Sequence, residues 1–260
     1  MKLLLIFYSL VTTTLSYPHF HIERDARQAQ IANYTYAGES GPLHWHYVDP
    51  ENSSICATGR TQSPIDISSE DIDHANHGSL HLNIPSTNGS TLENTGSGLQ
   101  VSTNGSLTLE NRQYQLAQLN FHTPSEHRVN GEYFPMELHF SFRRQQETAV
   151  VGFLFQISEN QTTFHPFDSI FNHVGEVTEP GTSTITGSIA FSGLEAHFDR
   201  NYIYNYTGSL TTPPCTEEVQ WFLSEVPLPL SVPDYNNVKK VVKFNSRYTQ
   251  NELGNDNLLA

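Results

Sequence analysis

The chain has 260 residues, with 13 Lys and Arg residues against 27 Asp and Glu residues. The formal net charge of -14 argues against a nucleic-acid-binding surface, which needs clustered basic side chains. Aromatic residues make up 11% of the chain and charged residues 15%, which does not suit a disordered chain or a long helical rod. We therefore expect one globular domain with a substantial core.

The N-terminus has the pattern of a secretory signal peptide. Lys2 precedes an apolar run from Leu3 to Val11, and small residues allow cleavage after Ser16. The run is too short to cross a bilayer, so we expect a secreted protein without a membrane anchor. The expected divisions are a signal peptide at 1–16, a flexible lead-in at 17–33, a domain at 34–250 and a tail at 251–260.

Two further patterns agree with secretion. Cys56 and Cys215 are the two cysteines, and in an oxidising compartment one disulfide is the simplest interpretation, with two free thiols as the alternative. Six N-x-Ser/Thr sequons predict a glycoprotein. The sequons begin at Asn33, Asn52, Asn88, Asn104, Asn160 and Asn205.

The sequence predicts β-structure for most of the chain. Runs rich in β-branched and aromatic residues alternate with Gly, Asn, Ser and Pro clusters, as in a mainly β protein. In chain order, we predict strands at 114–122, 136–142, 148–157, 202–206 and 219–223 and short helices at 166–174 and 233–244.

The predicted strands at 114–122 and 136–142 each place polar side chains on one face, because side chains alternate along a strand. If the strands are antiparallel neighbours, the two polar faces converge. The face of the first strand carries Gln118, Asn120 and His122, and that of the second carries Glu137, His139 and Ser141.

Three interpretations fit this arrangement. The polar faces could simply meet water. They could form a metal site in which His122 and His139 are oriented by neighbouring polar residues. They could also form an acid–base pair of Glu126 or Glu137 with a histidine. The spacing does not distinguish the last two.

Five short blocks stand out along the chain. They are Gly41-Pro42-Leu43-His44-Trp45, Gln62-Ser63-Pro64-Ile65-Asp66-Ile67, Thr123-Pro124-Ser125-Glu126-His127, Met136-Glu137-Leu138-His139 and Gly208-Ser209-Leu210-Thr211-Thr212-Pro213-Pro214-Cys215. In this order and at this spacing, the blocks resemble the α-class carbonic anhydrases over residues 36–250. The resemblance implies a mainly β (α+β) single domain, built on a large twisted, mostly antiparallel sheet of about ten strands with short peripheral helices. It also implies reversible hydration of CO₂ to bicarbonate at Zn²⁺, and a disulfide between the two cysteines.

The resemblance assigns roles around the zinc. His122 and His139 match two of the three zinc ligands, while Asn120 stands where the family has the remaining histidine. Gln118 and Glu137 match the residues that orient the ligands.

The resemblance also assigns the reaction centre. Thr211 matches the threonine that accepts a hydrogen bond from the zinc-bound hydroxide, and Glu126 matches its partner. Ser97 stands where fast members of the family often have a proton-shuttling histidine. The positions of the CO₂ pocket are Val150, Leu210, Thr212, Val219, Trp221 and Ser141.

The departures from the family pattern favour weak or lost catalysis. Asn120 offers a carboxamide oxygen, a weaker zinc donor than an imidazole nitrogen. The alternative is a functional extracellular zinc enzyme with reduced metal affinity and no histidine shuttle. A different class of function is a non-catalytic secreted protein, a pseudoenzyme that binds a protein, glycan or small ligand.

Overall fold

The structure is a computed structural model that describes residues 31–76 and 78–260. The predicted signal peptide at 1–16 and most of the predicted lead-in lie outside the described residues.

Fourteen strands of the described residues lie in two sheets. They are β1 Asp66–Ile67, β2 Asp73–His74, β3 Leu80–Asn83, β4 Thr91–Asn94, β5 Leu99–Ser102, β6 Ser106–Leu109, β7 Arg112–His122, β8 Arg128–Val129, β9 Glu132–Tyr133, β10 Met136–Arg144, β11 Glu147–Ile157, β12 Ser183–Ile185, β13 Ile203–Ser209 and β14 Glu217–Leu230.

Six short α-helices and three 3₁₀ turns surround the sheets in the described part of the chain. The helices are α1 Trp45–Val48, α2 Pro50–Ser53, α3 Ile55–Thr58, α4 Asp168–Phe171, α5 Ser192–Arg200 and α6 Val232–Val242, and the 3₁₀ turns are Gly38–Ser40, His165–Phe167 and Val174–Glu176.

The larger sheet has 11 strands, nine of them in the order β12-β4-β5-β7-β10-β11-β14-β13-β2. Strand β6 pairs with both β3 and β7 beside this path. Every pair in this sheet is antiparallel except β11 with β14, which is parallel. A second sheet joins β1, β8 and β9. The predicted large, mostly antiparallel sheet is therefore confirmed.

The two faces of the central strands belong to different layers. On β10, Leu138, Phe140 and Phe142 are fully buried in the main apolar core, which also contains residues of α4, α5 and α6. The intervening residues His139 and Ser141 face the opposite side of the sheet, because side chains alternate along a strand. That side contains a smaller apolar cluster and the polar residues of the candidate site.

Of the two predicted helices, one is present as a single helix and the other is divided. The segment predicted as one helix over 166–174 is divided into a 3₁₀ turn, the single turn α4 and another 3₁₀ turn. The helix predicted over 233–244 is present as α6. The Ser231 hydroxyl accepts a hydrogen bond from Asp234 N at 3.2 Å, and this cap satisfies one of the free N–H groups at the start of α6.

A disulfide joins Cys56 of α3 to Cys215, which precedes β14, with 5.1 Å between their Cα atoms. The predicted disulfide is therefore present. Residues after 250 pack near it, because Asn257 is buried and its side-chain amide donates to Gly59 O at 2.9 Å. The division between a domain at 34–250 and a tail at 251–260 stays a prediction.

Candidate metal centre

The two histidine-bearing strands are antiparallel neighbours, so their polar faces converge. Asn120 of β7 lies opposite His139 of β10, and His122 lies opposite Glu137. Asn120, His122 and His139 line one cavity of about 550 Å³. The alternation along each strand, together with the antiparallel pairing, thus brings the two histidines and Asn120 onto one wall.

Most of the predicted site residues line this cavity. Val219 does not: it is buried, and it packs with Val150 and Trp221 in the smaller apolar cluster. Glu126 and Glu137 are fully buried and lie outside the cavity lining. The predicted residues that line the cavity are Ser97, Gln118, Asn120, His122, His139, Ser141, Val150, Leu210, Thr211, Thr212 and Trp221.

His122 is held in a defined orientation. Its Nδ1 lies 2.9 Å from the backbone oxygen of Asn245, which can only accept a hydrogen bond, so Nδ1 carries the proton. The other ring nitrogen, Nε2, is then the one with a free lone pair. An imidazole whose second nitrogen is tied to a carbonyl is typical of metal-binding histidines.

In His139 the two ring nitrogens have the opposite roles. Its Nε2 lies 2.7 Å from Glu137 Oε1, so Nδ1 is the nitrogen available to a metal. The centroids of the His122 and His139 rings are 4.5 Å apart. The two imidazoles are therefore close enough to share one ion.

The environment keeps both imidazoles neutral. Burial lowers the pKa of His122, although the hydrogen bond to Asn245 and the charge of Glu137 act in the opposite direction. Burial likewise lowers the pKa of His139, against the charge of Glu137. Neutral imidazole is the form that binds metal, so these shifts favour coordination at neutral pH.

Glu137 fixes the surroundings of His139. It accepts backbone hydrogen bonds from Glu126 and His127, each at 2.8 Å, and its Oε1 also lies 2.6 Å from His127 Nδ1. Burial alone would raise the pKa of Glu137, but His127 and His139 hold that pKa well below its ordinary value. The remaining nitrogen of His127 lies 2.6 Å from the Tyr206 hydroxyl.

Glu126 and Thr211 lie beside the histidines. Burial raises the pKa of Glu126 to about 7, while His139, the Arg247 N–H and the Thr211 hydroxyl act to lower it. Glu126 Oε1 accepts from Arg247 N at 2.8 Å. Its other oxygen, Oε2, is buried without a well-formed hydrogen bond and lies 3.7 Å from His139 Nδ1.

Asn120 completes the group that faces the cavity. Its carboxamide makes no hydrogen bond to any described residue. The same is true of the carboxamide of Gln118, one of the two residues predicted to orient the ligands. The donor set therefore fits a divalent metal, with two neutral imidazoles and one unengaged carboxamide oxygen. A third imidazole would make the set a better match for Zn²⁺.

The apolar wall and the shuttle position also lie in the cavity. Ser141 lies opposite Val150, which in turn lies opposite Trp221, so the three form a transverse row across β10, β11 and β14. Ser97 lies beside Thr95, with 3.1 Å between their hydroxyl oxygens. The functional roles assigned to these residues stay predictions.

Some residues of the site were not singled out from the sequence. Asn245 orients His122 through its backbone carbonyl, a contact that no side-chain pattern could indicate. Arg247 is almost fully buried, and its guanidinium donates to Ser63 O at 2.7 Å. His127 and Tyr206 were visible in the sequence only as members of a family-like block and a predicted strand.

Comparisons with known proteins identify related chains. The family model for eukaryotic-type carbonic anhydrases matches residues 40–257. Carbonic anhydrase from Pectobacterium atrosepticum is 30% identical over 225 residues, which cover 84% of this chain and 86% of the bacterial protein.

Two solved structures are also similar. The fungal α-carbonic anhydrase from Aspergillus oryzae is 56% identical with a TM-score of 0.85, and the match covers 87% of this chain and 96% of the fungal chain. Dioscorin complexed with ascorbate is 27% identical with a TM-score of 0.72, and the match covers 84% of this chain and 93% of dioscorin.

This chain belongs to the α-class, or eukaryotic-type, carbonic anhydrase family. No helix among residues 31–76 and 78–260 is long and apolar enough to cross a membrane.

Proposed function

We propose that this protein is a secreted carbonic anhydrase whose hydration of CO₂ is weak because Asn120 stands at a zinc-ligand position. The observation that supports metal binding is the paired orientation of His122 and His139, each of which keeps one nitrogen free. Membership of the family supports CO₂ as the substrate. The carboxamide at position 120 is the reason to expect low activity.

Three residues would hold the metal. His122 would bind through Nε2 and His139 through Nδ1, and Asn120 would add a carboxamide oxygen as the weaker donor. When bound, Zn²⁺ supplies Lewis acidity that makes water nucleophilic near neutral pH.

The chain's own residues position the reactants. The Thr211 hydroxyl is close enough to Glu126 to lower the pKa of that carboxyl. When this hydroxyl donates to Glu126, the Thr211 oxygen can accept a hydrogen bond from a reacting water. Val150, Leu210 and Trp221 provide apolar surface in the same cavity, suited to an uncharged substrate such as CO₂. Ser141 interrupts that surface with a hydroxyl.

Proton release has no imidazole relay at position 97. The Ser97 hydroxyl does not titrate near neutral pH, whereas an imidazole does. Protons must therefore leave through water to buffer, and we expect turnover to rise with buffer concentration.

Zinc content is the decisive measurement. Protein purified from the medium of a secreting eukaryotic host would be dialysed against metal-free buffer and analysed for zinc, and its CO₂ hydration measured by stopped flow. We expect zinc below one ion per chain and slow hydration that increases when zinc is added. Metal-free, folded protein that shows no hydration even with added zinc would refute the proposal.

A second candidate is binding of a small polar ligand without catalysis. The cavity wall beside Asn120 is polar, since the neighbouring row contains Gln100 of β5 and Glu93 of β4. Dioscorin, which has the same fold, is described in complex with ascorbate. Calorimetric titration of metal-free protein with ascorbate tests this candidate: saturable binding supports it, and no heat change argues against it.

A further inference from the structure

Residues 31–36 form one wall of the cavity that contains the candidate metal centre. Ile31, Ala32, Asn33, Tyr34 and Tyr36 all line it. We call this stretch the rim segment. The rim segment therefore lines the same cavity as the two histidine-bearing strands.

The rim segment is anchored on both sides of Asn33. Before it, Ala32 N donates to the backbone oxygen of Thr95 at 3.0 Å. After it, the Tyr34 ring packs edge-on against Trp45, with 5.4 Å between their centroids. The Trp45 indole N–H donates to the backbone oxygen of Thr35 at 2.9 Å. These contacts fix the position of Asn33 on the cavity wall.

The side chain of Ile31 adds further contacts to the rim segment. Ile31 packs over the turn that joins β4 and β5, because a Cβ atom added at Gly96 would lie 3.5 Å from Ile31 Cγ2. Gly181 also lies close to this isoleucine, since a Cβ atom there would be 3.4 Å from Ile31 Cδ1. The Tyr34 hydroxyl lies near the side chains of Ser97 and Thr212, which also line the cavity.

Asn33 itself is exposed, and its carboxamide makes no hydrogen bond to any described residue. It begins the sequon Asn33-Tyr34-Thr35. None of the other five sequon asparagines lines this cavity. Asn205, by contrast, has a buried carboxamide oxygen without a hydrogen-bond partner. Asn33 therefore combines a free, solvent-facing amide with a place on the wall of the reaction cavity.

We propose that Asn33 carries an N-linked glycan and that this glycan narrows the entrance of the cavity. Such a glycan is bulky and hydrophilic, so it would admit CO₂, bicarbonate and buffer while keeping large molecules from the metal centre. The inference rests on the proposed function in one respect, because both require a secreted protein. It does not depend on whether metal is bound.

The modification is an ordinary group transfer. Asn33 Nδ2 forms a bond to the anomeric carbon of an oligosaccharide carried by a lipid pyrophosphate. The bond from that carbon to the pyrophosphate oxygen breaks, and the lipid pyrophosphate leaves with the electron pair. The amide loses one proton to a base of the transferase, so neither partner is oxidised or reduced.

The first test is occupancy. Mass spectrometry of proteolytic peptides from the protein secreted by a eukaryotic host would detect a glycan on the peptide that contains Asn33. We expect most of that peptide to be glycosylated. An unmodified Asn33 in secreted protein would overturn the proposal.

The second test measures access to the cavity with a cysteine probe. Ser97→Cys places a thiol in the cavity, and Gln100→Cys does the same should the first variant fail to fold, because both positions line it. The rates of labelling would be compared for N-ethylmaleimide and for a maleimide carrying a long polyethylene glycol chain. Both rates would be measured in metal-free buffer with a chelator, because a cysteine in this cavity could itself bind zinc. Failure of the metal site would therefore leave the test valid.

Removal of the glycan is then the critical comparison. In the probe background, Asn33→Gln should increase the rate for the large reagent several-fold and leave the rate for N-ethylmaleimide unchanged. Asn160→Gln is the matched control, because Asn160 is exposed and lies outside the cavity lining, and it should change neither rate. Equal rates for the large reagent with and without the Asn33 glycan would overturn the proposal.

Discussion

Asn120 lies directly opposite His139 across the antiparallel pair of β7 and β10. The carboxamide therefore stands next to a metal-competent imidazole on the wall of the same cavity. Neither hydrogen bonding nor burial engages the Asn120 side chain in another role among the described residues. A change at this one position should thus act mainly on the metal.

Asn120→His should restore a three-histidine site. Loss of a residue that merely orients a ligand typically costs 10–100-fold in metal affinity, so we expect a gain in zinc affinity of at least about 10-fold. Competition with a zinc-binding dye measures the affinity, and stopped flow measures the accompanying rise in CO₂ hydration.

Ser97→His is the matched control for that variant, because it adds an imidazole to the same cavity away from the ligand positions. It should leave zinc affinity unchanged and make hydration less dependent on buffer concentration. If Asn120→His bound zinc no better than the wild-type protein, Asn120 would not be the residue that limits the site.

Zinc should remain bound at pH values below those at which an ordinary histidine becomes protonated. Burial lowers the pKa values of His122 and His139 below 6.5, so protons compete with metal only at lower pH. The affinity would be measured in the Glu126→Gln variant, because the Glu126 carboxyl has a pKa of about 7 and lies 3.7 Å from His139 Nδ1. In that variant, a plot of apparent zinc affinity against pH should be flat above 6.5 and fall below it. A fall that begins clearly above pH 6.5 would contradict the stated direction of both shifts.

Tyr206→Phe should destabilise the fold through His127. The Tyr206 hydroxyl lies 2.6 Å from His127 Nε2 and 2.8 Å from Ser63 Oγ, and all three residues are buried. Its removal leaves buried polar atoms unpaired, at a cost of about 1–3 kcal/mol in the free energy of unfolding. Urea denaturation measures that change. Tyr133→Phe, at a half-exposed position, should cost much less.

The disulfide should contribute to stability independently of the metal centre. Cys56 and Cys215 are 159 residues apart in sequence, so the bond restricts a long loop of the unfolded chain. Replacing both cysteines with alanine should lower the free energy of unfolding by about 2–5 kcal/mol. An unchanged unfolding midpoint in both denaturant and heat would contradict this.

The alternation of side chains was enough to predict which residues of β7 share a face. It placed Asn120 and His122 on the polar face, and the intervening residues Leu119 and Phe121 are buried in the main core on the other side. A period of two residues is a local property, so a single strand's sequence reveals it.

Contacts between distant segments could not be predicted in this way. The parallel pairing of β11 with β14 and the carbonyl of Asn245 beside His122 both depend on the path of the whole chain. The predicted helix at 166–174 is divided into three short turns, although Phe167, Ile170 and Phe171 lie in the main core at the i, i+3, i+4 spacing of a helix face.

The hydrogen bond between His122 and Asn245 also constrains the order of events during synthesis. These residues are 123 positions apart, so His122 leaves the ribosome long before its partner is made. At a translation rate of about 5–20 residues per second, several seconds pass before Asn245 follows. Until then His122 lacks the contact that fixes its proton on Nδ1. We expect the nascent chain to hold metal poorly and the site to mature only after the C-terminal segment has docked.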